Sequence, residues 1–107
     1  MVELRALAGS AVLAALLAAG PSAAGAETRT VTIEGMKFAP EAVTVKRGAT
    51  VVWENRDLVP HTATARGAFD SGPIAAGKSW RFVAAKAGRY EVVCTLHPTM
   101  KSTLVVE

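Results

Sequence analysis

Runs of alternating apolar and polar residues, each only a few positions long and each ended by Gly, Pro or a polar cluster, constrain this chain more than any other feature. Thr28 to Glu34 places Val31 and Ile33 on one face, Ala42 to Lys46 alternates again, and Thr50 to Glu54 aligns Val51 with Trp53. Ser79 to Ala84 sets Trp80 and Phe82 against Arg81. Arg89 to Cys94 aligns Tyr90, Val92 and Cys94, and Thr103 to Glu107 aligns Leu104 with Val106. A period of two is the signature of a half-buried strand. Thr62 to Ala65 reads as a weaker strand, because alanine pairs poorly. Arg47-Gly48, Arg66-Gly67, Asp70-Ser71-Gly72-Pro73, Ala76-Gly77-Lys78 and Ala87-Gly88 supply the turns. Pro40 argues against a regular strand continuing through Met36 to Pro40. About seven short strands without a helical stretch predict an all-β sandwich.

Residues Ala6 to Ala19 stand apart as an apolar run rich in Ala and Leu. The run is shorter than the about 20 apolar residues of a spanning helix. Arg5 before it and Ala24-Gly25-Ala26 after it fit a secretory leader cut near Glu27. We expect 1–26 to be a signal peptide and 27–107 to be one exported, periplasmic domain. That domain is expected to be a monomer with no stable membrane insertion; an uncut leader acting as an anchor is the alternative. The formal charge of +3 is far from a nucleic-acid footprint, and no basic run is interleaved with aromatics. It favours an acidic partner surface. The chain has one Cys, whereas small exported domains usually pair an even set. A lone Cys there is a free thiol, an intermolecular bridge or a metal ligand.

Cys94-Thr95-Leu96-His97-Pro98-Thr99-Met100 gives the third choice its weight. A thiol, an imidazole and a thioether follow one another at intervals of three, just after a strand-like run. Taken singly, Cys94 reads as a small core hydrophobe, His97 as a solvated loop residue and Met100 as core filler. Taken together they are soft ligands suited to copper: one thiolate, imidazole, and a weak axial thioether make the set of blue-copper sites. Such a site needs a second imidazole, and the only other histidine is His61, after Pro60 in a loop between strands. Four protein ligands leave no open position for a substrate, by the logic of closed zinc sites. No enzyme is expected on that ground.

These residues and others bear a resemblance to the cupredoxins, and within them to the amicyanins, with pseudoazurins and plastocyanins as relatives. It covers nearly all of 30–107 and rests on Phe38-Ala39-Pro40, Val43-Thr44-Val45 with Gly48, Trp53-Glu54-Asn55, Pro60-His61 and Gly88-Arg89-Tyr90. The most specific part is the Cys94-x-x-His97-x-x-Met100 spacing. The resemblance implies a Greek-key β-sandwich of seven to eight strands. It implies one copper ion cycling between Cu(I) and Cu(II), held by His61, Cys94, His97 and Met100. It also implies that Asn55 ties the first His loop to the Cys loop, at Thr95. Leu96 stands where amicyanins carry Pro, so its added N–H is expected to donate to the Cys94 sulfur and raise the potential. Met36, Leu58, Val59, Pro60, Leu96 and Pro98 are expected to ring the edge of His97 as a docking surface. Val59 and Thr99 replace Met and Phe common in amicyanins, so a c-type cytochrome is a safer expectation than a particular periplasmic dehydrogenase. A potential that rises below the histidine range is expected if His97 leaves Cu(I) and takes a proton.

The function expected is one-electron transport between redox partners. The alternative is a periplasmic copper carrier or storage protein using the same ligands. An enzyme with Cys94 as nucleophile and His97 or His61 as base lacks an evident oxyanion donor set. A zinc site is disfavoured by a thioether ligand.

Overall fold

The computed structural model describes residues 27–107, so the expected leader over 1–26 lies outside the described residues. These form nine strands and no helix: β1 (Thr28–Glu34), β2 (Lys37–Ala39), β3 (Ala42–Val45), β4 (Thr50–Asn55), β5 (Thr64–Ala65), β6 (Phe69–Asp70), β7 (Ser79–Val83), β8 (Gly88–Val93) and β9 (Lys101–Val106). They build one sheet of order β2-β1-β4-β7 and another of order β3-β9-β8-β5-β6. The β1/β4 and β3/β9 pairs are parallel and the rest antiparallel. The all-β sandwich is therefore as expected, with two strands more than alternation alone gave.

The two additions, β2 and β6, are short sheet edges. Gly35 and Met36 join β1 to β2 with φ of 65° and 62°. Glu34 and Lys37 are paired on either side, so this is a two-residue hairpin loop, the kind that takes positive φ at both positions. Glycine adopts that conformation freely; Met36 does so against its Cβ. Pro40 falls just past β2, at an edge, where a missing N–H breaks no ladder.

The alternation places the core. Val31, Ile33, Val51 and Trp53 from one sheet and Val43, Val45, Val92, Leu104 and Val106 from the other are all buried. Trp53 packs with ring centroids 5.6 Å from Phe69 and 5.7 Å from Trp80. Each fully buried Val, Leu or Ile contributes about 1.5–3 kcal/mol of hydrophobic stabilisation, so this interior holds the strand ends in place. At one end, β8 lies between β9 and β5, and Thr64 pairs with Val93. That register sets the segment before β5, which carries His61, beside the segment after β8, which starts at Cys94.

Candidate metal centre

The loop from β8 to β9 consists of two successive reverse turns that share His97. His97 N–H donates to Cys94 O at 3.1 Å, and Met100 N–H to His97 O at 2.9 Å. Cys94 N–H then closes the loop on Met100 O at 3.1 Å. The three-residue spacing thus has a backbone cause: each candidate ligand stands at a corner of a four-residue turn. Pro98 takes the first central position of the second turn, where its fixed φ fits. Cys94 and Met100 are buried, while His97 is half-exposed.

His61 is fixed from the opposite side. Its backbone exchanges two hydrogen bonds with Ile74, at 3.2 and 2.7 Å. Its side chain is fully buried. The Nδ1 atoms of His61 and His97 each lie 3.7 Å from Cys94 Sγ. The three donor atoms all fall within 4.8 Å of one another. Donors bound at about 2.3 Å (sulfur) and about 2.0–2.1 Å (nitrogen), as around zinc, lie about 3.8 Å apart for a trigonal angle and about 3.5 Å for a tetrahedral one. The observed spacing fits one ion in a near-trigonal S,N,N set, the arrangement of blue copper. Met100 is buried at the end of the same loop.

Asp57 orients His61. His61 Nε2 is 2.8 Å from Asp57 Oδ2. The same carboxylate accepts the N–H groups of Gly35 at 2.7 Å and Met36 at 2.9 Å. A carboxylate can only accept, so the His61 hydrogen sits on Nε2 and its Nδ1 lone pair faces Cys94. The Met36 N–H first, then those of Gly35 and His61, hold the Asp57 carboxyl below its ordinary range against the effect of partial burial. No one-dimensional signal marks Asp57 beyond its place four residues before His61.

Two expectations require correction. Asn55 does not reach Thr95. Its Nδ2 donates to Val59 O and Ile74 O, both at 2.9 Å, and its Oδ1 accepts from Asp57 N–H. It shapes the His61 loop from within, and both Nδ2 hydrogens are used there. The link between the loops is Thr62: its Oγ1 accepts Thr95 N–H at 2.9 Å and lies 3.2 Å from Thr95 Oγ1. The sulfur contact also differs from expectation. The N–H that donates to Cys94 Sγ is that of Thr62, at 3.3 Å. Leu96 sits in the middle of the first turn, and its N–H makes no such bond among the described residues. A Thr directly after His61, with Thr64 on the same face by the period of two, was the available signal.

Met36, Leu58, Val59, Pro60, Leu96 and Pro98 are all exposed, Leu58 to 94%. Among the described residues, four of the five exposed large hydrophobics, Met36, Leu58, Val59 and Leu96, come from this set, and the fifth is Val83.

Comparison with known proteins agrees with the geometry. The cupredoxin-like domain family matches residues 7–106. Amicyanin-alpha of Methylorubrum extorquens is 33% identical over 97% of this chain and 100% of its own. Amicyanin of Paracoccus versutus is 32% identical over 77% of this chain and 67% of its own. A solved Cu(I) form of an amicyanin variant superposes with a TM-score of 0.72, at 28% identity over 78% of this chain and 90% of that one. The chain belongs to the cupredoxin family, in the company of the amicyanins.

Proposed function

We propose that this chain is a periplasmic one-electron carrier whose single copper is held by His61, Cys94, His97 and Met100. The observation that carries the reading is the convergence of Cys94 Sγ with two imidazole Nδ1 atoms at 3.7 Å each. When bound, copper supplies a Cu(II)/Cu(I) couple. The chain's own residues do the rest. The Asp57 carboxylate and the Ile74 bridge hold His61, and the two linked turns hold Cys94, His97 and Met100. A frame fixed before the metal arrives has little to rearrange between oxidation states, which favours fast transfer. The four ligands leave no open position, which suits a carrier rather than an enzyme.

The two imidazoles differ in a way that suggests the direction of traffic. His61 is buried and its second nitrogen is engaged by Asp57. His97 is half-exposed, and its second nitrogen has no hydrogen-bond partner among the described residues. We read its edge as the electron port and the surrounding Met36, Leu58, Val59, Pro60, Leu96 and Pro98 as the docking surface. Exposed apolar patches mark such surfaces, and a small docking area suits brief redox encounters. A c-type cytochrome or a periplasmic dehydrogenase is the partner class proposed. The leader over 1–26 would deliver the domain to that compartment.

The test is reconstitution with Cu(II). The expected product is intensely blue, gives the EPR signal of a type 1 site and shows reversible one-electron voltammetry; Cys94→Ala gives none of these. A colourless product would overturn the reading. Ready transfer of copper to an acceptor without reversible voltammetry would turn it toward storage.

A further inference from the structure

We propose that Thr64 and Asp70 are positioning residues for the Cys94 thiolate, acting on it through Thr62. Neither side chain hydrogen-bonds to a candidate ligand among the described residues. Their effect travels along a chain of hydroxyl groups whose direction follows from counting hydrogens. The Asp70 carboxylate accepts from Thr64 Oγ1 at 3.0 Å and from Gly72 N–H at 2.9 Å. A threonine has one hydroxyl hydrogen, and that of Thr64 is committed to Asp70. Thr64 Oγ1 lies 2.9 Å from Thr62 Oγ1, so Thr62 is the donor in that pair. The Thr62 oxygen is then left to accept, and it takes both the N–H and the hydroxyl of Thr95, at 2.9 and 3.2 Å. Every hydroxyl in the series points toward Asp70.

The consequence falls on sulfur. Thr62 is the residue whose N–H donates to Cys94 Sγ at 3.3 Å, and Thr62 and Thr64 are buried. With Asp70 anchoring the series, Thr62 has one hydroxyl orientation and one backbone pose. Without the anchor its hydroxyl is free to turn toward Thr95, and the N–H···S contact loosens. The Gly72 N–H and the Thr64 hydroxyl together hold the Asp70 carboxyl below its ordinary range. The anchor therefore stays ionised at neutral pH.

This inference rests on the copper reading of Cys94, and its test separates the two. An N–H donor to a metal thiolate stabilises the reduced, more electron-rich state. Thr64→Val, which cuts the series, is therefore expected to lower the reduction potential, while Thr64→Ser, which restores the hydroxyl, keeps it. Asp70→Ala is the sharper case. Removing a negative charge raises a potential through space, whereas releasing the anchor lowers it. A fall supports the relay, and a rise or no change overturns it. In the metal-free protein the Thr62 amide should exchange about fivefold faster in Thr64→Val, the equivalent of about one net hydrogen bond. Unchanged exchange would overturn the positioning role without any copper present. If the unmutated protein fails to turn blue, the copper reading falls, and the exchange series still decides the positioning claim.

Discussion

Asp57 joins two pieces of chain that the sequence keeps apart, the β1–β2 hairpin loop and the loop that carries His61. Its two oxygens take the consecutive N–H groups of Gly35 and Met36, a small anion nest, and with the same charge they fix His61. Holding Met36 at φ 62° costs about 1–2 kcal/mol relative to a right-handed conformation; the nest offsets that cost. Asp57→Asn is isosteric but wrong in chemistry. The amide keeps one accepting oxygen, and its NH2 then faces either the N–H of Gly35 or, if flipped, both the N–H of Met36 and the Nε2–H of His61. Urea unfolding of the metal-free variant is expected to show a loss of about 2 kcal/mol, the penalty for unpairing a partly buried donor. Copper affinity is expected to fall about 10–100-fold, as when the outer partner of a metal-binding histidine is removed. A variant with unchanged midpoint and affinity would show that the carboxylate does not hold the ring.

The β8–β9 loop explains why so much of the centre was legible and why part of it was not. Its ligand types and their spacing are local: two turns sharing His97 put Cys94, His97 and Met100 at successive corners, and this can be read along the chain. The strands that carry the loop, β8 and β9, and those of the facing sheet, β1 and β4, were legible too, because each buries one face at a period of two. The two missed strands, β2 and β6, are three and two residues long and exist because β1 and β5 pair with them. Nor could the sequence choose between Asn55 and Thr62 as the link to Thr95. Both are short polar residues beside the His61 loop, and only the Thr64–Val93 register brings one of them opposite Thr95. The loop's local character also makes a prediction. Pro98 restrains the unfolded chain at a turn position it fits, so Pro98→Ala should cost the metal-free protein about 0.4–1 kcal/mol in urea unfolding. The blue colour should be retained, since the backbone bonds among Cys94, His97 and Met100 remain. Loss of colour would mean that proline itself, rather than those bonds, shapes the site.

Asp57 and Asp70 both hold the segment that carries His61 and Thr64, one bonded to His61 and the other to Thr64, and this gives the molecule a particular response to acid. Asp57 and Asp70 both have folded-state values lowered by N–H and hydroxyl donors. In the unfolded chain each returns to the ordinary aspartate range, about 3.9. Between that value and the lowered ones, the unfolded state binds more protons than the folded state, so stability rises with pH. The contribution is complete above the ordinary aspartate range and is lost as pH falls through the folded values. Urea midpoints of the metal-free protein, in which copper adds no proton linkage of its own, should be insensitive to these two groups from about pH 6 to 5 and should decline below about pH 4. Asp70→Asn keeps an accepting oxygen for Thr64 and Gly72 but cannot titrate, so it should flatten part of the decline below about pH 4 while leaving the Asp57 share. An acid limb as steep in Asp70→Asn as in the unmutated protein would show that Asp70 binds its protons equally in both states, and that its ion–dipole contacts add nothing to the fold.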